Sequence, residues 1–269
     1  MDIHEILAHS QKLLVITGAG CSTGSGIGDY RDDDGEWKRP QPIQHQDFVT
    51  RLKWRQRYWA RSQVGFPEFM HAQPNTAHQV LNVWEKTGRL QGLITQNVDR
   101  LHQRAGQQKV IDLHGRLDEV ICLGCNAVTS RHDLQDWLLN HNQALDSTPP
   151  KLAPDGDADL VYTDYSTIQV PHCRCCAGIL KPNVVFFGDN VPKMRVEEAC
   201  AWVDAADAML IVGSSLMVYS SYRFVRRAYA RSLPIVAINR GKTRADELFT
   251  TKLREECGPA LERLRHSFV

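Results

Sequence analysis

The sequence predicts an α/β protein, a doubly wound, Rossmann-like parallel sheet with a second, smaller module, and three observations predict it. Short apolar runs recur along the 269 residues, each ending in glycine or polar residues. Helix-like stretches alternate with those runs. Two C-x-x-C pairs sit inside one of the two stretches that break the alternation.

The runs span residues 12–17, 90–95, 109–114, 183–188, 208–213 and 234–239. Most are β-branched and apolar on both faces, as strands buried on both sides of a parallel sheet are. Between them, Asn75 to Lys86 reads as a helix, with Asn75 or Thr76 as N-cap and Gly88 just past its end. Ser220 to Arg231 reads as another. Strands alternating with helices give a doubly wound sheet. Residues 35–73, rich in Arg, Trp and Pro, and residues 120–176, with the cysteine pairs, read as insertions. The expected organisation is therefore 1–34, 74–119 and 177–269 as the sheet domain. Residues 35–73 form the helical part of the small module and 120–176 its zinc-binding part. The acidic stretch 146–164 reads as a mobile loop.

A hydrophobic content of 42% supports a sizeable core, and a formal charge of +1 gives no reason to expect a nucleic-acid or membrane partner. The basic, aromatic segment 51–61 reads mainly as a solvated helix face over packed tryptophans. The first residues lack a basic start and an apolar run, and no stretch reaches the roughly 20 apolar residues of a membrane span. A cytoplasmic location and a monomer are the expectations. In that setting eight cysteines read as metal ligands and free thiols.

Cys122-x-x-Cys125 and Cys173-x-x-Cys176 each make a tight turn that aims two thiolates at one ion. Two such pairs complete a tetrahedron around zinc. Either pair alone would read as redox-active. A filled four-cysteine site keeps no open position, so the zinc is structural. Cys175 lies inside the second turn, and the spacing favours Cys173 with Cys176.

In parallel sheets ligands bind past the carboxyl ends of strands, near the topological switch point. Here those ends read Thr17-Gly18-Ala19-Gly20, Thr95-Gln96-Asn97, His114-Gly115, Gly213-Ser214-Ser215 and Asn239-Arg240-Gly241. Glycines in the first let backbone N–H groups approach phosphates. Its spacing is G-x-G-x-x-x-G and departs from the dinucleotide fingerprint G-x-G-x-x-G. On glycines alone a plain turn is an equal reading.

The loop continues as Ser22-Thr23-Gly24-Ser25-Gly26-Ile27-Gly28-Asp29-Tyr30-Arg31. Further on come residues 95–102, Leu113-His114-Gly115, the paired cysteines, residues 180–188 and residues 213–216. In order and spacing these motifs closely resemble the sirtuin family of NAD-dependent protein deacylases, from Leu13 to Cys257. Residues 55–61 and 184–189 are most similar to its class II branch, which includes the mitochondrial sirtuin 4 type and many bacterial members.

The resemblance implies roles. Gly18, Ala19, Gly20, Ser22 and Thr23 would line the adenosine and phosphate end of NAD, and Asp29, Tyr30 and Arg31 would close over the nicotinamide ribose. Gln96, Asn97 and Asp99 would form the nicotinamide pocket. Gly213, Ser214 and Ser215 would lie by the phosphates and ribose. Asn239, Arg240 and Gly241 would meet the adenine ribose, and Cys257 the adenine. The family usually has proline at Gly28, so loop closure costs more ordering entropy here.

A lone histidine at a strand end is ordinarily a satisfied core residue. Here the ordinary near-neutral titration of the side chain suits a general base. The resemblance gives His114 that task, with Asn97 and Asp99 holding the ribose and nicotinamide. Nicotinamide, O-acyl-ADP-ribose and free lysine are the expected products. Val184, Val185, Phe186, Phe187 and Gly188 read either as core or as an edge that pairs with an acyl-lysine peptide. Tyr58 and Arg61, three apart on one helix face, are acyl-pocket candidates by the same resemblance, with acetyl, longer, acidic and lipoyl-type groups all open. Mono-ADP-ribosyl transfer from the same NAD site, or a non-catalytic NAD-sensing module, are the competing functions.

Overall fold

The computed structural model describes residues 2–38, 41–142, 153–158, 160 and 164–268. Most of the acidic 146–164 stretch, and with it the expectation of a mobile loop, lies outside the described residues. Among the described residues the strands are, in chain order, β1 (Leu13–Thr17), β2 (Leu90–Thr95), β3 (Val110–Asp112), β4 (Gly115–Cys122), β5 (Val128–Ser130), β6 (Leu180–Val184), β7 (Ala208–Val212), β8 (Ile235–Ile238) and β9 (Thr251–Leu253). The α-helices are α1 (Ile3–His9), α2 (His45–Thr50), α3 (Leu52–His71), α4 (Thr76–Lys86), α5 (Leu101–Arg104), α6 (Arg131–His141), α7 (Lys193–Ala205), α8 (Tyr219–Ala230) and α9 (Cys257–Leu264). No described helix is long and apolar enough to cross a membrane.

The chain divides into two compact units. The first comprises Met1–Arg39, Gln73–Leu113 and Val191–Val269; the second comprises Pro40–Ala72 and His114–Asn190. In the first unit the sheet order is β3-β2-β1-β7-β8-β9, and every neighbouring pair is parallel. The order reverses at β1, so the β1 and β7 ends flank the switch point where this topology binds ligands.

Every residue of β1 and β7 is buried, which is why their runs carry no polar face. Leu13 and Val15 enter one apolar layer with Leu81, Trp84, Leu93 and Leu210. Leu14 and Ile16 enter the opposite layer with Ile94, Met209, Ile211 and Phe224. Period-two alternation thus feeds two cores from one strand. The Asn75 side chain caps α4 by accepting from Ala77 N at 2.8 Å.

The second unit holds the antiparallel sheet β5-β4-β6. The run 183–188 was expected as a parallel strand of the main sheet. Its first two residues instead end antiparallel β6. Phe186 lies past the strand, its ring 5.2 Å from Phe48 and 5.4 Å from Tyr58. The run is apolar because it packs on the small sheet and α3, a burial that composition cannot tell from that of a central strand.

Candidate functional site

In the first unit the ends of β1, β2 and β7 are knitted together. Gly18 N donates to Val212 O at 3.1 Å and Gly20 N to Gly213 O at 2.9 Å. Gly213 sits at φ +61, and a Cβ there would fall on Gly20 C and Cys21 N. Only glycine fits so close a crossing of two backbones. Gly213→Ala should therefore cost about 1–3 kcal/mol for its backbone conformation alone. Thermal unfolding checks this; an unchanged midpoint would remove the constraint.

Ser22 joins the two acidic and amide side chains expected at the nicotinamide end. Its Oγ donates to Asp99 Oδ2 at 2.7 Å and accepts from Asn97 Nδ2 at 3.0 Å. Asn97 Nδ2 also donates to Gly18 O at 3.1 Å. Leu101 N donates to Asp99 Oδ1 at 2.9 Å. Burial pushes the Asp99 carboxyl up, against those bonds. Gln96 Nε2 reaches Ser214 Oγ at 2.6 Å, and Ser221 Oγ donates to Gln96 Oε1 at 2.9 Å. The structure thus brings Gly18, Gly20, Ser22, Gln96, Asn97, Asp99, Gly213 and Ser214 into one hydrogen-bonded group, an association no sequence pattern reveals. Ala19 and Thr23 lie in the 3-10 turns of the same loop.

Residues 29–38 fold back on themselves. Lys38 N donates to Tyr30 O at 2.9 Å, and Lys38 Nζ pairs with Asp29 at 2.5 Å. The Arg31 guanidinium lies 4.1 Å over the Trp37 ring and donates to Gly35 O at 2.6 Å. Arg240 Nε meets Asp33 Oδ1 at 2.9 Å, while Lys242 N donates to Asp33 O at 2.7 Å. Asn239 Nδ2 donates to Gly241 O at 2.8 Å, and Arg244 N to Ser215 O at 2.9 Å. Cys257 is buried at the start of α9, its thiol pushed up to about 12 by burial. The expected adenine-ribose residues and the expected loop are therefore stitched together through Asp33, a residue the sequence reading did not single out.

In the second unit, His114 precedes β4, and its carbonyl accepts from Val185 N at 2.8 Å. Gly115 sits at φ +86, where a Cβ would fall on Asn183 O. The histidine is thus set on a backbone that only glycine lets turn. Phe187 O accepts from His45 N at 2.8 Å, and Phe187 bridges Gln44 in parallel register. Val184 is buried in β6 and Gly188 is left-handed at φ +81. Buried Lys181 donates to Val184 O and lies 3.5 Å from Asp189. It lies in the 180–188 motif, where the sequence assigns it no role of its own.

Tyr58 is buried against Phe48, Trp59 and Phe186. Arg61 Nε meets both oxygens of Asp157, at 2.8 and 2.9 Å, with the two side chains 12% and 16% exposed. Burial, then Asp155, pushes the Asp157 carboxyl up to about 7, with Arg61 opposing.

Cys122, Cys125, Cys173 and Cys176 place their sulfurs within 4.8 Å of one another. Cys122 lies 3.5 Å from Cys176, and Cys125 3.7 Å from Cys173. Gly124 N points at Cys122 Sγ from 3.3 Å. Backbone N–H groups of Cys175 and Cys176 hold the Cys173 thiol down to about 6. Donors aimed at the first sulfur of each turn favour thiolates, which is the form zinc takes. The set fits one structural zinc, and exposed Cys175 stands outside it.

Comparison with known proteins agrees with this geometry. A model of the Sir2 family matches residues 18–220. An "NAD-dependent protein deacetylase" of Xanthomonas axonopodis pv. citri is 55% identical over 96% of this chain and 88% of its own length. "NAD-dependent protein deacetylase 2" of Bradyrhizobium diazoefficiens is 55% identical over 97% and 95%. "NAD-dependent protein lipoamidase sirtuin-4, mitochondrial" of Bos taurus is 47% identical over 97% and 84%. Among solved structures, a Sir2–p53 peptide–NAD+ complex superposes with TM-score 0.78 at 28% identity, covering 97% of this chain and 95% of that one. A Sir2 histidine-to-alanine variant with deacetylated p53 peptide and 3′-O-acetyl-ADP-ribose gives 0.79 at 30%, covering 98% and 96%.

Proposed function

This chain belongs to the Sir2 family, and from that premise we propose the residue roles by which it acts as an NAD-dependent protein lysine deacylase. The observation that carries the reading is the hydrogen-bonded group around Ser22, which joins the ends of β1, β2 and β7 at the switch point. NAD supplies the acceptor, its ribose C1′, and leaves as nicotinamide and O-acyl-ADP-ribose.

The chain's own residues do the rest. Backbone N–H groups at Ala19, Thr23, Ser214 and Ser215 bind the phosphates, on a loop whose Gly18 and Gly20 N–H groups are held by Val212 and Gly213. Asn97 and Asp99, already fixed by Ser22, orient the nicotinamide and its ribose. Asp29, Tyr30 and Arg31 exclude water over that ribose. Asn239, Arg240, Gly241 and Cys257 hold the adenosine end. His114 takes the proton of a ribose hydroxyl as general base. The segment Val184–Gly188 offers backbone to the substrate peptide. In support, Val185 and Phe187 are anchored to His114 and His45, although the Phe186 ring belongs to the core. Incubation with NAD and an acyl-lysine peptide panel, read by mass spectrometry, tests the reading. Free lysine with O-acyl-ADP-ribose is expected; ADP-ribosylated protein without free lysine overturns it. Protein substrates and a monomeric state go with this reading, and light scattering checks the second.

Acyl choice follows from Arg61. Its guanidinium is engaged by Asp157, so a pocket lined by Tyr58 and Arg61 favours uncharged acyl groups over carboxylated ones. Because the Asp157 carboxyl titrates at about 7, protonation below that pH removes the competing charge. Turnover of succinyl-lysine relative to acetyl-lysine should rise as pH falls from 8 to 6. At pH 8, Asp157→Asn should raise the same ratio roughly tenfold, the value of one charge-assisted hydrogen bond. A ratio flat in both experiments removes Arg61 from acyl selection.

A further inference from the structure

We propose that Cys21, His78 and His102 form a second metal site, which takes one thiophilic divalent cation of the zinc class. The Cys21 sulfur and one ring nitrogen of each histidine lie within 4.8 Å of one another, the spacing that also contains the four zinc cysteines. Tetrahedral bonds of about 2.0–2.3 Å set ligand atoms about 3.3–3.8 Å apart, so a closure of about an ångström completes the set. One thiolate with two imidazoles is the donor chemistry zinc prefers. The inference stands apart from the deacylase reading.

The surroundings hold the three side chains close together. His78 is fully buried, and its Nε2 has no hydrogen-bond partner. A buried, unsatisfied imidazole nitrogen is a costly thing to leave in a core. Its Nδ1 accepts from Asn75 N at 3.2 Å. Asn75 Nδ2 in turn donates to Cys21 O at 2.9 Å and to Ser25 Oγ at 3.0 Å. One asparagine thus ties the loop that carries the sulfur to the helix that carries the ring.

His102 Nδ1 meets Gln107 Oε1 at 2.7 Å, and its Nε2 meets Thr17 Oγ1 at 2.9 Å. In the tautomer whose Nδ1–H donates to the Gln107 carbonyl, the Nε2 lone pair is open to an ion, the outer-shell arrangement of ligating histidines. If the ion takes the place of Thr17, that hydroxyl keeps its contact with Thr95, 2.9 Å away.

The exchange balances simply. The cation displaces the Cys21 thiol proton to solvent and forms a metal–sulfur bond. The His78 Nε2 proton passes to Nδ1, so the metal–nitrogen bond must outweigh the loss of the hydrogen bond that Asn75 N now donates there. Three protein ligands leave a fourth position for water or another donor.

Cobalt(II) is the probe. Protein first saturated with one equivalent of zinc is titrated with Co2+, following stoichiometry, absorption and thermal midpoint. One further equivalent is expected, with a sulfur-to-cobalt charge-transfer band and a midpoint raised by several degrees. Cys21→Val, an apolar side chain for an apolar neighbourhood, should lose the band and the midpoint shift while keeping the first zinc. Cys21→Ala serves if valine overpacks. Wild-type saturation at a single equivalent overturns the proposal. So does a band that survives in both Cys21 variants, because it then belongs to another thiol such as Cys175 or Cys200.

Discussion

His114→Ala should lower deacylation by about 10²–10⁴-fold, the usual worth of a positioned general base, while NAD affinity stays within a few-fold. The side chain begins the second unit, whereas the hydrogen-bonded group proposed to receive the cofactor is built entirely in the first, from Ser22, Gln96, Asn97, Asp99 and Ser214. Removing the imidazole breaks none of those bonds. His114→Gln should restore hydrogen bonding without restoring rate, because the amide cannot take up the proton. Calorimetric NAD binding beside single-turnover kinetics separates the two effects. Loss of NAD affinity parallel to the loss of rate would make His114 a binding residue; near-normal turnover would end its assignment as base.

Removing the zinc should be the other large effect. Structural zinc is worth about 10–16 kcal/mol in small zinc modules, against a total stability of about 5–15 kcal/mol for a domain. Around the cysteines the described residues of the second unit form a short three-stranded sheet and a modest core that includes Phe48, Trp59, Val120, Leu138 and Leu180. A strong chelator, or Cys173→Ser, should therefore unfold that unit. Hydrogen exchange in β4 to β6 should rise to the unfolded limit, while β1, β7 and β8, with every residue buried in their own layers, stay protected. Metal-free protein that keeps full protection in β4 would show that the cysteines do not hold the unit together.

The sequence made β1, β2, β7 and β8 legible because each is apolar on both faces and long enough to declare itself. It concealed β9, whose three residues Thr251, Lys252 and Leu253 sit half-buried at the sheet edge. It misplaced 183–188 because burial in either sheet demands the same residue types. The Asn75 cap was readable, and His78 three residues on was the signal that the cap is a reciprocal pair. The candidate site was less accessible. Ser22 meets Asp99 across 77 residues and Arg61 meets Asp157 across 96, and no local pattern encodes such meetings. The roles proposed for Gln96, Asn97 and Asp99 come only through resemblance to a family. Asp33 and Asp157 belong to no motif.

The main sheet also has a history in time. β1 leaves the ribosome early, and β2 can pair with one of its edges about eighty residues later. Its other edge is completed by β7, which starts at Ala208. Through most of synthesis one flank of a strand that ends up fully buried has no partner, and the chain passes into and out of the second unit in the meantime. Pairing over such separations is slow, and an open apolar edge recruits other chains. The nascent protein should therefore depend on chaperones more than its finished stability suggests, and truncations ending before Ala208 should aggregate where the full chain dissolves.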